Sequence, residues 1–129
     1  MNILPAPDVV FAVRESTAHK LTFTIYDEDG APVPSSNLAS LTLTLHLAET
    51  DEIVNSRNAQ DVLNTNNVTV DVNGLVTWAV QPSDTTFLYA SRKYEDHIAL
   101  FEWTYPVGSG SRSGHYEIRL LIRNRAYVP

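Results

Sequence analysis

The chain has 129 residues, enough for one well-cored domain and too few for two. Hydrophobic residues make up 43% of it, too many for a disordered chain, and its net charge of −6 has the wrong sign for a general nucleic-acid binder. It contains no cysteine, which excludes disulfides, thiolate metal sites and a cysteine nucleophile.

The chain opens on Met1–Pro7, an apolar stretch with two prolines. It lacks the basic start and long apolar run of a secretion signal. Proline pre-orders extended backbone, so residues 1–7 read as an arm that reaches a neighbouring subunit through Ile3, Leu4 and Pro5. Val9, Phe11 and Val13 alternate as a first strand. From Lys20 to Tyr26, Leu21, Phe23 and Ile25 point inward and Thr22 and Thr24 outward. Ser40–Leu47 repeats the pattern with four inward leucines. Glu49–Asn66 is rich in Asn, Asp and Ser. It reads as an ordered loop anchored by Ile53, Val54, Val62 and Leu63, with a helical turn at Ala59–Leu63.

Val68, Val70 and Val72, then Asn73-Gly74, then Val76, Trp78 and Val80 read as a tight hairpin with a type I′ turn. Pro82–Leu88 reads as a single turn. His97–Tyr105 is apolar on both faces, which predicts a central strand or one whose outer face meets a partner. Pro106–Gly114 reads as a flexible Gly/Ser loop. Tyr116, Ile118, Leu120 and Ile122 then alternate with Glu117, Arg119 and Arg123 as a basic last strand. From Arg112 onward four arginines stand against Glu117 alone, a local balance of +3 that leaves −9 for the remainder of a chain whose net charge is −6. Residues 126–129 form a short tail in which Tyr127, beside Arg125, is a candidate contact. No stretch approaches the ~20 apolar residues of a membrane span. About seven to eight short strands separated by turn signals predict one all-β, antiparallel, Ig-like sandwich with Greek-key connections, a barrel being the alternative.

A search for reactive constellations points away from catalysis. The four histidines His19, His46, His97 and His115 read as surface or strand-end residues, with no metal-ligand spacing between any two. Asp27-Glu28-Asp29-Gly30 resembles the start of a calcium loop, but the later ligands are missing, so it reads as a polar turn. Glu95 and Asp96 are neighbours on a strand, point to opposite faces and cannot form an acid/base pair. Gly108-Ser109-Gly110 joins two strands and not a strand to a helix, so it is no phosphate cradle. Asn67-Val68-Thr69 matches a glycosylation sequon without a secretion signal to support it. Most aromatics fall on inward positions. Tyr89, Tyr94 and Tyr105 are the exceptions and the candidates for a sugar-stacking face, as in a carbohydrate-binding or adhesin module.

The runs Asn58–Trp78 and Glu95–Tyr105, followed by Gly114–Ile118, resemble small Ig-like structural proteins of tailed bacteriophages. The resemblance covers about Lys20–Pro129. It implies a non-enzymatic virion component without cofactor, metal or catalytic residues, assembled in the host cytoplasm. The expected role is capsid decoration, with a neck, tail or baseplate part as the alternative. The expected partners are the major capsid protein or other virion proteins, and further copies of the chain, with no nucleic acid or membrane. Ile3, Leu4, Pro5, Ile53, Val54, Arg119, Arg123, Arg125 and Tyr127 are the candidate contacts.

Overall fold

The computed structural model describes residues 9–14 and 19–124. In chain order its strands are β1 (Val9–Arg14), β2 (His19–Thr24), β3 (Ser40–Leu47), β4 (Gln60–Asp61), β5 (Val68–Val70), β6 (Leu75–Val80), β7 (Tyr94–Val107) and β8 (Gly110–Arg123). They form a five-stranded sheet, β1-β8-β7-β3-β4, packed on a three-stranded sheet, β2-β6-β5. This is the sandwich expected from the alternation. One pairing departs from an all-antiparallel scheme: β1 runs parallel to β8. After β1 the chain crosses to the other sheet, so β1 never turns back on its own neighbour. Among the described residues no helix is long and apolar enough to cross a membrane.

Period-two alternation builds both inner faces. Leu41, Leu43, Leu45 and Leu47 of β3 are all fully buried, with Thr42, Thr44 and His46 on the outer face. Phe101 of β7 meets Trp78 of β6 edge-on, at 5.6 Å and 74° between ring planes. Phe23 of β2 stacks on Tyr116 of β8, at 4.4 Å and 10°. Ile118, Leu120 and Ile122 extend the same core along β8. Each such side chain stabilises the fold by about 1.5–3 kcal/mol through burial, which is why the aromatic centre holds the sheets together.

Three local expectations change. The Val68–Val80 hairpin is present, but Asn73 does not adopt positive φ; Gly74 alone does, at +75°. The Asp71 carboxylate accepts the N–H groups of Asn73 and Leu75, so a three-residue loop with one left-handed residue closes the turn. Val72 therefore sits at the tip, 78% exposed, and not in the core. The second change is at Ala59–Leu63, which is not helical. Gln60–Asp61 pairs with β3 as the outermost strand of the larger sheet. Third, Pro106–Gly114 is not a flexible loop. β7 and β8 stay paired to Val107 and Gly110, and Gly108-Ser109 makes the turn with φ +59° at the glycine. Positive φ at the first central residue alone is the type II′ pattern, which suits the twist of a hairpin.

The strand directions give the sandwich two poles. The near pole carries the β2–β3 connection, the β5–β6 turn and the β7–β8 turn. The far pole carries the β3–β4 and β6–β7 connections and the end of β8.

The two turn glycines differ in what surrounds them. A Cβ on Gly74 would lie 2.7 Å from the Val33 carbonyl oxygen, whereas nothing lies within 4 Å of one on Gly108. Gly74→Ala adds a backbone collision to left-handed strain and should cost about 2–4 kcal/mol, while Gly108→Ala should cost about 1–2 from strain alone. Urea denaturation of both variants checks the order; equal losses would contradict it.

Candidate functional site

The strongest concentration of polar chemistry is a buried cluster at the far pole: Arg57, Asp84, Glu95 and His97, each at most 2% exposed. Arg57 comes from the β3–β4 connection, where Val54 N–H bonds Leu45 C=O and Leu45 N–H bonds Arg57 C=O. This stretch runs as a bulged strand along β3, with Asn55, Ser56 and Ala59 at positive φ. The bulge aims the guanidinium inward. Asp84 ends the Pro82–Asp84 turn, whose capping box has the Asp84 carboxylate accepting the Gln81 N–H at 2.8 Å.

Arg57 donates every guanidinium hydrogen. Nε bonds Asp84 Oδ1 at 2.6 Å and one Nη bonds Asp84 Oδ2 at 3.2 Å. The remaining bonds go to Gln60 Oε1 at 2.8 Å, Asn66 C=O at 3.1 Å and Asn67 Oδ1 at 2.9 Å. Asn55 adds a donor to Asp84 at 2.8 Å. One step along, His97 Nδ1 donates to the Asp84 carbonyl at 2.9 Å, which places a hydrogen on that nitrogen because a carbonyl can only accept. His97 Nε2 lies 2.7 Å from Glu95 Oε1. Glu95 also accepts the N–H groups of Leu88 and Tyr89 at 2.8 and 3.1 Å. The cluster thus ties the β3–β4 bulge, the β4–β5 link, the β6–β7 connection and β7 to one another. Both imidazole nitrogens and the carboxylates are engaged inside the protein, so its chemistry is that of a fastener.

His97 is therefore neither a surface nor a strand-end residue, as the sequence reading had it. It shares the inward parity of Ala99 and Phe101, and Glu95 shares it too. Asp96 points the opposite way and pairs with Arg119 on the outer face. His46 lies on the outer face, 3.4 Å from Asp51.

The remaining candidates separate. Ile53, 36% exposed, bridges to His46. It stands in one cross-strand row with His46, Ile98 and Arg119, roughly 14 Å from Arg119 across three strand spacings. Val54, at 1% exposure, anchors the bulge in the core, so a partner on this surface would touch Ile53 and not Val54. Arg123 is exposed at the end of β8, opposite Tyr94. Ile3, Leu4, Pro5, Arg125 and Tyr127, with the expected arm at 1–7 and tail at 126–129, lie outside the described residues.

The three tyrosines do not form one platform. Tyr105 is buried at the near pole, and its hydroxyl donates to Glu28 at 2.7 Å. Tyr94 lies eleven residues back along β7, roughly 36 Å away, at the far pole with Tyr89. Tyr89 donates to Glu52 and lies under the Arg92 guanidinium, 4.6 Å from its ring centroid. The Asp27–Gly30 segment is a polar turn: Asp27 Oδ1 accepts the N–H groups of Asp29 and Ala31, both at 2.9 Å. Among the described residues no three His, Asp or Glu side chains are placed to share a metal ion.

These tyrosine bonds shift titrations. The Tyr105 hydroxyl, with lesser help from backbone and from Arg112, holds the Glu28 carboxyl below its ordinary value, and Glu28 in turn pushes the Tyr105 phenol up. The Tyr89 hydroxyl, then that of Thr50, lowers Glu52, and Tyr89 is raised in return.

No family model matches the chain, and no curated protein is significantly similar to it.

Two measurements test these assignments. Arg57→Ala strands the buried Asp84 carboxylate and should cost about 3–5 kcal/mol, whereas Arg57→Met with Asp84→Leu should recover part of that loss. Equilibrium denaturation decides, and a neutral single substitution would sink the fastener role. For the near pole, Glu28 has a lowered folded-state pKa, so its contribution is complete above the unfolded value of 4.5 and is lost as pH falls through the lower folded value. The raised Tyr105 contributes below its ordinary value of 10.0 and is lost as pH rises through the higher folded one. In Tyr105→Phe, an NMR titration of the Glu28 carboxyl carbon should move upward toward 4.5; an unchanged midpoint would show that the phenol is not its main cause.

Proposed function

We propose that this chain is a non-enzymatic structural subunit of a tailed-phage particle, working as a decoration protein that binds the major capsid protein on the head surface. The observation that carries this reading is the use of the buried charged groups. Arg57, Asp84, Glu95 and His97 fasten loops to sheets, and what remains for outside contact is rigid surface. The resemblance of the runs 58–78, 95–105 and 114–118 to small phage sandwich proteins supports the same class. So does the outer face of β7 and β8, where Ile98, Leu100 and Leu121 alternate with paired and unpaired charges such as Asp96, Arg119 and Glu102. Contacts of that kind suit a polar-rimmed interface. In this reading the chain self-associates in the particle and engages neither nucleic acid nor membrane. A neck, tail or baseplate position is the alternative within the class. The carbohydrate-binding reading loses its platform with the separation of Tyr105 from Tyr89 and Tyr94.

Mass spectrometry of purified virions should find the chain as a stoichiometric component. Cryo-EM should then place copies over the head lattice for decoration, or in a small ring for a neck part. Absence from the particle rules out the whole class.

A further inference from the structure

The large hydrophobic side chains that stay exposed among the described residues sit at the two ends of the sandwich. Tyr26, Val72, Leu75 and Val107 lie at the near pole, and Ile53, Leu88, Tyr89 and Tyr94 at the far pole. On the outer face of the larger sheet Ile98, Leu100 and Leu121 are each half-buried. Large apolar side chains left exposed and gathered at particular places are the natural candidates for contact sites.

The near-pole cleft and the Tyr94 corner of the far pole differ in shape and in sign, while the exposed Glu49, Asp51 and Glu52 of the far pole stand apart on the β3–β4 connection. The near pole holds a cleft of about 230 Å³ between the β2–β3 turn and the tip of the β7–β8 ribbon. Its volume exceeds the ~150 Å³ that accommodates a benzene ring. Asp27, Glu28, Asp29, Pro32, Tyr105 and Val107 line it. Arg112, 3.7 Å from Glu28, offsets one of the three acidic charges. The far pole presents Tyr94, 48% exposed, on the outward-facing side of β7 at its first residue. Cations stand at its base: Lys93 Nζ lies 5.6 Å from the ring centroid, and Arg123 is the cross-strand partner of Tyr94.

We infer that the Tyr94 knob, with Lys93 and Arg123, docks into the acidic near-pole cleft of a second copy. Because the two surfaces differ and every copy carries both, the contact is heterologous and strings copies head to tail. A fourteen-residue strand separates the two surfaces, so each copy lengthens the row by on the order of 40 Å. Four exposed apolar residues and a few charges per end make a weak single contact that repetition strengthens. The inference deepens the structural-subunit reading and rests on it for the high local concentration that a weak contact needs.

Sedimentation velocity on the full chain tests it. The wild type should form concentration-dependent oligomers that weaken as salt screens the charges. Tyr94→Ser with Lys93→Glu disables the knob, and Asp29→Lys with Val107→Ser disables the cleft. All four side chains are exposed, so both variants should fold, and circular dichroism checks that. Each variant alone should associate at least about tenfold more weakly than the wild type. Mixed in equal amounts, they should form a dimer and nothing longer, since one intact knob meets one intact cleft. If either variant melts early, Tyr94→Ser alone and Asp29→Lys alone replace the pairs. A wild type that stays monomeric at every concentration, or a mixture that gives no dimer, overturns the inference. A chain found in virions but monomeric in solution leaves the subunit reading standing; one that strings together yet is absent from virions does the reverse.

Discussion

The Arg57–Asp84 pair is the constraint on which the far pole depends. Removing two ions from water costs several kcal/mol each, and their attraction offsets this only when the remaining hydrogen-bonding capacity is met. Here it is met by groups from different parts of the chain: Asn55 and Gln60 on one side, Asn66 and Asn67 on another, and the Gln81 backbone on a third. Every one of these segments must be in place before the charges are satisfied. The pair therefore selects one arrangement of loops more than it adds net stability. His97 and Glu95 carry the same logic into β7, since the Asp84 carbonyl is an acceptor only if the turn has already formed.

That fastening explains an otherwise costly stretch of backbone. Asp51, Asn55, Ser56, Ala59, Asn64, Asn66 and Asn67 all take positive φ within one short region. Left-handed backbone costs most residues roughly 1–2 kcal/mol and costs Asn and Asp less. The Asn-rich composition follows from this geometry, and Ser56 and Ala59 are the two residues there that are neither Asn nor Asp. The bulged path also ends the larger sheet at a two-residue edge strand, β4. On the smaller sheet the outer strands are the three-residue β5 and β2, which carries the exposed Lys20. Short, bulged or charged edges resist uncontrolled pairing with other chains.

The two poles follow from different economies of structure. At the far pole, four charged or ionisable groups turn inward, and the rim is left with exposed aromatics among charges of both signs, Lys93 and Arg123 beside Tyr94 and Glu49, Asp51 and Glu52 on the β3–β4 connection. At the near pole, tight turns at Gly74 and Gly108 close two of the connections with few residues, and the Asp27 side chain closes a turn inside the longer β2–β3 connection. Tyr105 and Glu28 tie the ribbon tip to the β2–β3 turn and hold the cleft open between them.

Much of this was legible in the residues themselves. Alternation placed β2, β3, β6 and β8 because a pleated strand puts successive side chains on opposite faces, and no tertiary information is needed to read that. Even the inward setting of His97 and Glu95 was available from their parity with Ala99 and Phe101, and the β7–β8 turn from Gly108-Ser109, a dipeptide suited to a two-residue hairpin. Other features had no local signal. Arg57 and Asp84 stand in polar segments that look alike in composition, and only the crossing of the chain between sheets brings them together. The parallel β1–β8 pairing and the separation of Tyr94 from Tyr105 likewise depend on how the two sheets stack. Local sequence determines which way a side chain points from its own strand; which distant groups it then meets is decided by the tertiary packing, because that requires the loops between them to be closed.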